Sequence, residues 1–435
     1  MRKIRLFIGN FNGDDLWAGE NDLKLIKPDF LGIKSTINNL DELFLYLAEE
    51  SDMVILRKYP DREFLNYIEK LQVTIPEIYT VKNGDSDKAL GKLILEDEDL
   101  LSQLKQKINE YKVKGYETEL IPYIITYLEE NIATVIGAAV KGQLNLIKLF
   151  NNKEATRELL INCGIKVPTG YICSSVSEFR SVSSQYLDKY DSIIIKELTG
   201  SGGSGLYIIH SKEQLNRFCN LYDSKKNRNK KVLIEKFYKV SESYNYQFFI
   251  RDGEVIPYTF SRQILIHGKI IGSFFDQPMT DINSLIKEHF EKAYPAAKYI
   301  AECGYKGIVG FDSILCADGN LLPVVDINCR INLSTIFHVI QKRYFKSKYA
   351  KFYCIETIAA NDIPFKEILN RYNIDYYRPD KGEGMVILNA NALTGNTKES
   401  KVKMGRFFIG LFYNDLIRLD EIYLQILKLQ EQAKE

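Results

Sequence analysis

Two apolar textures divide the chain. Largely apolar runs at 4–8 and 53–56 read as short strands, and between them residues 40–50 (LDELFLYLAEE) place apolar side chains at helical intervals. Strand, loop, helix and strand in that order predict an α/β unit on a parallel sheet. Residues 85–114 are charged, with Leu and Ile at helical spacing, and predict one or two amphipathic surface helices. The apolar runs at 123–128 and 132–140 fit helix or strand equally. The first unit is expected to close near residue 145.

From about residue 146 strands and helices follow in a different rhythm. Asn151-Asn152 can cap a helix over 153–162, stopped by Cys163-Gly164. A helical stretch at 175–187 precedes a buried strand, 192–195, that delivers Lys196. Next come TGSGGSG (199–205), a second strand (LYIIH, 206–210) and a helix opened by a capping box at Ser211 and Gln214. VLIEKFY (232–238) is a further strand, and 244–258 a hairpin turning at Asp252-Gly253.

The most telling stretch is 307–335, two apolar strands joined by an Asp318-Gly319-Asn320 turn. With that turn centred on Gly319, Asp312 lies opposite Asp326, and Asn328 and Arg330 share the face of Asp326. Two like charges across a rung of roughly 4.5–5.5 Å repel. The face is either solvated or the site of a cation, and an all-oxygen ligand set favours Mg²⁺ or Mn²⁺ over zinc.

Composition narrows the class. The chain has 435 residues, enough for two to four domains or lobes, with 45% hydrophobic and 26% charged residues, an ordinary globular balance. Lys and Arg number 58 against 57 Asp and Glu, which gives no general attraction to nucleic acid or an acidic membrane. Seven scattered cysteines without a CxxC pair argue against zinc and against a disulfide framework, and fit a reducing cytoplasm. No charge-free apolar run approaches the roughly 20 residues of a spanning helix. A cytoplasmic protein with no nucleic-acid or membrane partner is expected.

Gly200, Gly202 and Gly205 spell GxGxxG, but a strand rather than a helix follows, which argues against a dinucleotide site. No Gly-Lys-Ser or Gly-Lys-Thr completes a Walker A loop, and no His-Arg-Asp or Asp-Phe-Gly marks a protein kinase. A Gly/Ser loop between antiparallel strands is either a mobile hairpin tip or a fold-over loop presenting N–H groups to phosphates.

Taken in order, Lys153, Lys196 with its loop, Glu235, Glu242 and the Asp312–Asp326–Asn328 hairpin resemble the motifs of the ATP-grasp superfamily over roughly 145–345. The GNFNGDDLW start and the late GMVILNANALTGN stretch resemble a narrower group, the pre-ATP-grasp-domain peptide ligases of the pheganomycin and butirosin type. The resemblance implies an α/β and α+β chain. A Rossmann-like domain (1–145) would be followed by a small lobe with the glycine loop (146–240), a large lobe with the metal hairpin (241–360) and a C-terminal segment completing the fold (361–435). It implies ATP held by Lys153, Lys196, Gly200, Ser201, Gly202 and Gly203, by Glu235, Lys236, Phe237 and Tyr238 on the adenine side, and by Glu242 at the ribose. Mg²⁺ or Mn²⁺ would sit on Asp312, Asp326 and Asn328. Arg330, otherwise a surface ion pair, would hold the reacting carboxylate or phosphate, with Arg262 a second candidate. His267 is more simply a core or surface histidine than a substrate contact.

Two departures stand out. Asp326 occupies a position usually held by Glu, and INLST after Arg330 replaces a glycine-rich tail. The activity implied is amide or peptide bond formation through an acyl phosphate on amino-acid or peptide substrates. Loading of a carrier-protein thiol, a small-molecule kinase, and a nucleotide binder without turnover stay open, as do an acyl carrier partner and a homodimer.

Overall fold

The computed structural model describes residues 3–25, 33–85, 87–140, 142–200, 205–222, 227, 229–266, 269–276, 279, 283–359, 361–394 and 403–432. The N-terminal domain is built on five parallel strands, β1 (Lys3–Ile8), β2 (Met53–Leu56), β3 (Glu77–Thr80), β4 (Glu117–Pro122) and β5 (Ala139–Val140), in the order β3-β2-β1-β4-β5. The stretch of helical spacing at 40–50 is a 3-10 helix, Asn39–Tyr46, with all eight residues buried. Its polar side chains bind backbone elsewhere instead of facing water. Asp41 accepts from the Arg57 N–H at 2.6 Å, and Glu42 accepts from the N–H groups of Ala390 at 2.7 Å and Asn391 at 2.6 Å. The ambiguous run after 122 contains the helix Tyr127–Ile136, opened by a Thr126/Glu129 capping box and closed by Gly137 in the left-handed conformation.

A small antiparallel sheet follows: β6 (Gly170–Cys173), β7 (Ile193–Lys196), β8 (Leu206–Ile209) and β9 (Val232–Lys236), in the order β6-β9-β7-β8. The helices Val176–Lys189 and Lys212–Tyr222 cover it, burying Phe179, Phe218 and Cys219 against Ile193, Ile195 and Ile234. Leu23 and Leu25, from the N-terminal domain, enter the same core. They arrive on a strap whose Asn21 and Leu23 exchange backbone hydrogen bonds with Lys231.

The large sheet has eight antiparallel strands: β10 (Val240–Arg251), β11 (Glu254–Ile266), β12 (Lys269–Phe275), β13 (Gly307–Cys316), β14 (Leu321–Asn328), β15 (Tyr349–Ala359), β16 (Gly384–Ile387) and β17 (Lys403–Tyr413). Their order is β14-β13-β10-β11-β12-β15-β17-β16, so the last two extend the same sheet. β10 and β11 turn at Asp252-Gly253, both at positive φ, as the hairpin signal predicts. One continuous core joins this sheet to the N-terminal domain, with Phe64 set edge-on to Phe365 at 5.3 Å. Arg343 donates to the carbonyls of Tyr46, Leu47 and Ala48, fastening the end of the 3-10 helix. Among the described residues no helix is long and apolar enough to cross a membrane.

Glu42→Ala should lower the urea midpoint, because two buried N–H groups lose their acceptor at about 1–3 kcal/mol each, and Glu42→Gln should lower it less. Burial pushes Glu42 from its ordinary 4.5 up to about 8. The protonated group therefore favours the fold, fully below about 4.5, and that contribution is lost as pH rises through about 8. Glu42→Gln should thus gain stability relative to the parent over that window, by up to about 1.4 kcal/mol per pH unit. A pH-independent difference in urea midpoints would contradict this.

Candidate active site

The hairpin of β13 and β14 pairs in the expected register, with Asp312 opposite Asp326 and Gly310 opposite Asn328. Gly319 turns it at φ +79°. Strand alternation then sends Asp312 to the same face as its neighbours on β10 and β11. Its Oδ1 accepts from Asn245 Nδ2 at 2.8 Å and Gln263 Nε2 at 3.0 Å, and its Oδ2 accepts from Asn328 Nδ2 at 3.0 Å. Burial, then the facing charge of Asp326, pushes Asp312 up to about 6. Opposed carboxyl oxygens beside an amide suit a hard divalent cation, which would relieve the repulsion behind that shift. Among the described residues no set of three His, Cys, Asp or Glu side chains gathers as a metal cage.

Cations approach from the small-lobe side. Asn152 caps the helix Lys153–Asn162 by accepting from the N–H groups of Glu154 and Ala155, which places Lys153 in its first turn. Lys153 Nζ reaches Asp326 Oδ1 at 3.5 Å and so links the helix to the β13–β14 hairpin. Lys196, last residue of β7, meets Glu235 Oε2 at 2.7 Å. Burial alone would lower the Lys196 ammonium, but Glu235 overrides it and holds it above its ordinary value, with Asp326 adding to the effect. Arg157, one turn beyond Lys153, takes the other oxygen of Glu235 at 3.2 Å and donates to the carbonyls of Pro168 and Gly170.

The residues expected on the adenine side lie at the end of β9 and just after it. Lys236 Nζ sits 4.8 Å from the ring centroid of Tyr238, Phe237 N–H donates to Ser192 O, and Tyr238 bonds Thr169. The base of the glycine loop is closed by Glu197 N–H donating to Gly205 O, and Gly200 has φ +150°. Ser201, Gly202, Gly203 and His267 lie outside the described residues.

Arg330 gives Nη2 to Asn328 Oδ1 at 2.7 Å and Nη1 to Ile331 O at 3.3 Å. Its Nε is buried with no hydrogen-bond partner among the described residues. Glu242 and Arg262 are not brought to this cluster. Arg262 pairs across from Tyr244, whose ring lies against His289 on the opposite face from Asn245 and Asp312. There Arg262 meets Asp276 at 2.7 Å and Glu242 at 3.7 Å. Sequence reading missed Arg157, Asn245 and Gln263. Arg157 carried a usable signal, being four residues from Lys153 and so on the same helix face, whereas the two amides depend on a three-strand register.

Comparison with known proteins places this geometry in context. A family model described as "L-aspartate--L-methionine ligase, ATP grasp" matches residues 187–328, and one described as a pre ATP-grasp domain matches 41–138. The chain is 26% identical over 299 residues to a [butirosin acyl-carrier protein]–L-glutamate ligase of Niallia circulans, a match spanning 68% of this chain and 65% of that relative's length. The fold is similar to an ADP complex of N5-carboxyaminoimidazole ribonucleotide synthetase, with a TM-score of 0.57 and 12% identity, covering 100% of this chain and 98% of that one. It is also similar to an L-amino acid ligase from Bacillus licheniformis, with a TM-score of 0.55 and 11% identity, covering 98% of each.

Breaking a buried ion pair from one side costs about 3–5 kcal/mol, while replacing both partners is often near neutral. Lys196→Met should therefore lower the urea midpoint clearly, and Lys196→Met combined with Glu235→Gln should recover most of the loss. A double variant that loses the sum of what Lys196→Met and Glu235→Gln lose singly would mean that Lys196 and Glu235 do not depend on one another.

Proposed function

The chain belongs to the ATP-grasp superfamily, in the group whose ATP-grasp domain follows a pre-ATP-grasp domain, and we propose that it is an ATP-dependent carboxylate–amine ligase. The observation that carries this reading is Lys153 only 3.5 Å from Asp326 on the Asp312–Asp326–Asn328 hairpin, with Lys196 within reach of the Asp326 charge and Arg157 sharing Glu235 with Lys196. Such a cleft suits a polyanion whose charge is neutralised from both sides. The relatives support it, since each of two is named as an amino-acid or glutamate ligase.

A carboxylate resists attack by an amine because its carbonyl is electron-rich and oxide leaves poorly. Transfer of the γ-phosphoryl group of ATP to the carboxylate gives an acyl phosphate and ADP, and phosphate then leaves as the amine attacks. On this reading Lys153 and Lys196 hold phosphate oxygens, while Gly200, Ser201, Gly202 and Gly203 close over them and exclude water. Glu235 accepts from the adenine amino group, flanked by Lys236, Phe237 and Tyr238. Asp312, Asp326 and Asn328 would hold Mg²⁺ or Mn²⁺, which when bound supplies neutralisation of phosphate charge. Arg330 orients the reacting carboxylate, with Nε available for it. Glu242, near the start of β10 with Arg262 beside it, is read as the ribose carboxylate. Amino acids or peptides are the substrates. A second reading, transfer to a carrier-protein thiol, is favoured by the carrier named in the Niallia circulans relative.

Incubating the protein with MgATP, hydroxylamine and amino acids one at a time should yield a hydroxamate in step with ADP. ADP with a stable phosphorylated product and no hydroxamate would make it a kinase. Asp326→Ala and Asn328→Ala should each lower turnover at least about 100-fold while weak ATP binding persists. Near-parental rates at saturating Mg²⁺ would remove the hairpin from the site.

A further inference from the structure

In open parallel sheets a ligand commonly binds beyond the carboxyl ends of the strands where the chain order reverses. Here that point lies between β1 and β4, and it is filled. Phe11 stacks on Tyr123 at 4.2 Å, Phe44 meets Tyr123 edge-on at 6.2 Å, and a Cβ at Gly9 would come within 2.6 Å of Asp41 Cα. The cavity left, bordered by Asn10, Arg57 and Glu129, measures about 10 Å³, the size of a single water. A dinucleotide has no room.

What the crevice does hold is the loop after β4. Asn10 accepts from Ile124 N–H at 2.9 Å and donates to Ile124 O at 2.6 Å, Trp17 Nε1 donates to Ile125 O at 2.8 Å, and Tyr123 N–H donates to Ile8 O at 2.9 Å. The Tyr123 ring is therefore held by Phe11 stacked on it, by Phe44 edge-on and along its backbone, and it is 6% exposed. On this ring sits the Arg330 guanidinium, with Cζ 5.5 Å from the centroid and Nη1 3.4 Å from the hydroxyl. With Nη2 on Asn328 and Nη1 on Ile331, the platform sets the plane of the guanidinium and the direction of its unpartnered Nε.

We infer that Tyr123 is a positioning residue, through which the N-terminal domain orients Arg330 in the active site of the large lobe. The inference rests on the ligase reading in so far as Arg330 orients the reacting carboxylate. The ring face supplies the attraction, and the hydroxyl at 3.4 Å is secondary.

Hydroxamate formation and MgATP affinity, measured on the full chain, test it. Arg330→Met and Tyr123→Leu should each lower hydroxamate formation about tenfold or more, with MgATP affinity within about twofold of the parent, and the pair combined should lose less than about twofold further. Tyr123→Phe, which keeps the ring, should stay within about threefold of the parent. A merely structural tyrosine would weaken nucleotide affinity and turnover together, and its effect would multiply with that of Arg330→Met. Either result, or parental rates in Tyr123→Leu, overturns the inference. A second readout needs no turnover: the ¹⁵Nε signal of Arg330, assigned by its loss in Arg330→Met, should carry a ring-current shift that disappears in Tyr123→Leu and persists in Tyr123→Phe. If the parent makes no hydroxamate with any amino acid, the ligase reading fails, and the signal still decides the contact; an Arg330 signal unmoved in Tyr123→Leu refutes it.

Discussion

Two carboxylates on one rung of a hairpin are the constraint around which the cleft is arranged. Asp312 and Asp326 face each other in a site dry enough to push Asp312 up to about 6, and among the described residues of the hairpin itself only the Asn328 side chain donates to Asp312. Relief comes from the surroundings. Three amide groups, from Asn245, Gln263 and Asn328, donate to Asp312, and Lys153 is brought from a separate helix to Asp326. Each of those partners belongs to a different strand or helix, so the pair orders the packing of the large sheet on the small-lobe side. A pair so costly to assemble makes sense as a place where positive charge is to be held.

The N-terminal domain is bound into this arrangement at three levels. Glu42 takes two amides of the loop before β17, Arg343 takes three carbonyls at the end of the 3-10 helix, and Leu23 and Leu25 fill the core of the small lobe. The strap carrying those leucines also gives the Leu25 N–H to Glu197, the residue after Lys196, at 2.6 Å. A domain whose crevice is filled by aromatic rings thus acts as a frame for both lobes, touching the base of the glycine loop at one end and Arg330 at the other.

What could be read from the sequence was what short-range rules govern. The Asp312–Asp326 register follows from a Gly-centred turn and strand alternation, and the Asn152 cap and the Asp252-Gly253 hairpin follow from three or four residues each. The apolar runs at 123–128 and 132–140 fit helix or strand equally, although Thr126, Glu129 and Gly137 mark both ends of the helix Tyr127–Ile136. Contacts between residues far apart could not be read. The Tyr123–Arg330 contact spans 207 positions and the Glu42–Asn391 bond 349, and no local pattern encodes them. The 3-10 helix at Asn39–Tyr46 is a case of the same kind: helical spacing at 40–50 is legible, but the backbone partners that let Asp41 and Glu42 be buried lie elsewhere in the chain. Arg262 shows the limit of order along the chain as a guide to a site. Its neighbour Gln263 reaches Asp312, and one step along a strand turns Arg262 to the other face.

The cations of the cleft also constrain how a polyanion can enter. Lys153 is paired with Asp326, and Lys196 and Arg157 share Glu235. A phosphate chain reaching these groups therefore exchanges one set of ion pairs for another instead of capturing uncompensated charge. On the proposed reading, the exchange would free carboxyl oxygens on Asp326 and Glu235, one beside Asp312 for a divalent cation, the other for a neutral amino group that donates to it. Nucleotide, metal and the two acidic residues would in this way be linked by charge balance. The shorter Asp326 fits the scheme, because its oxygen already stands within 3.5 Å of Lys153, and an added methylene would have to fold aside to keep both the lysine and the rung with Asp312.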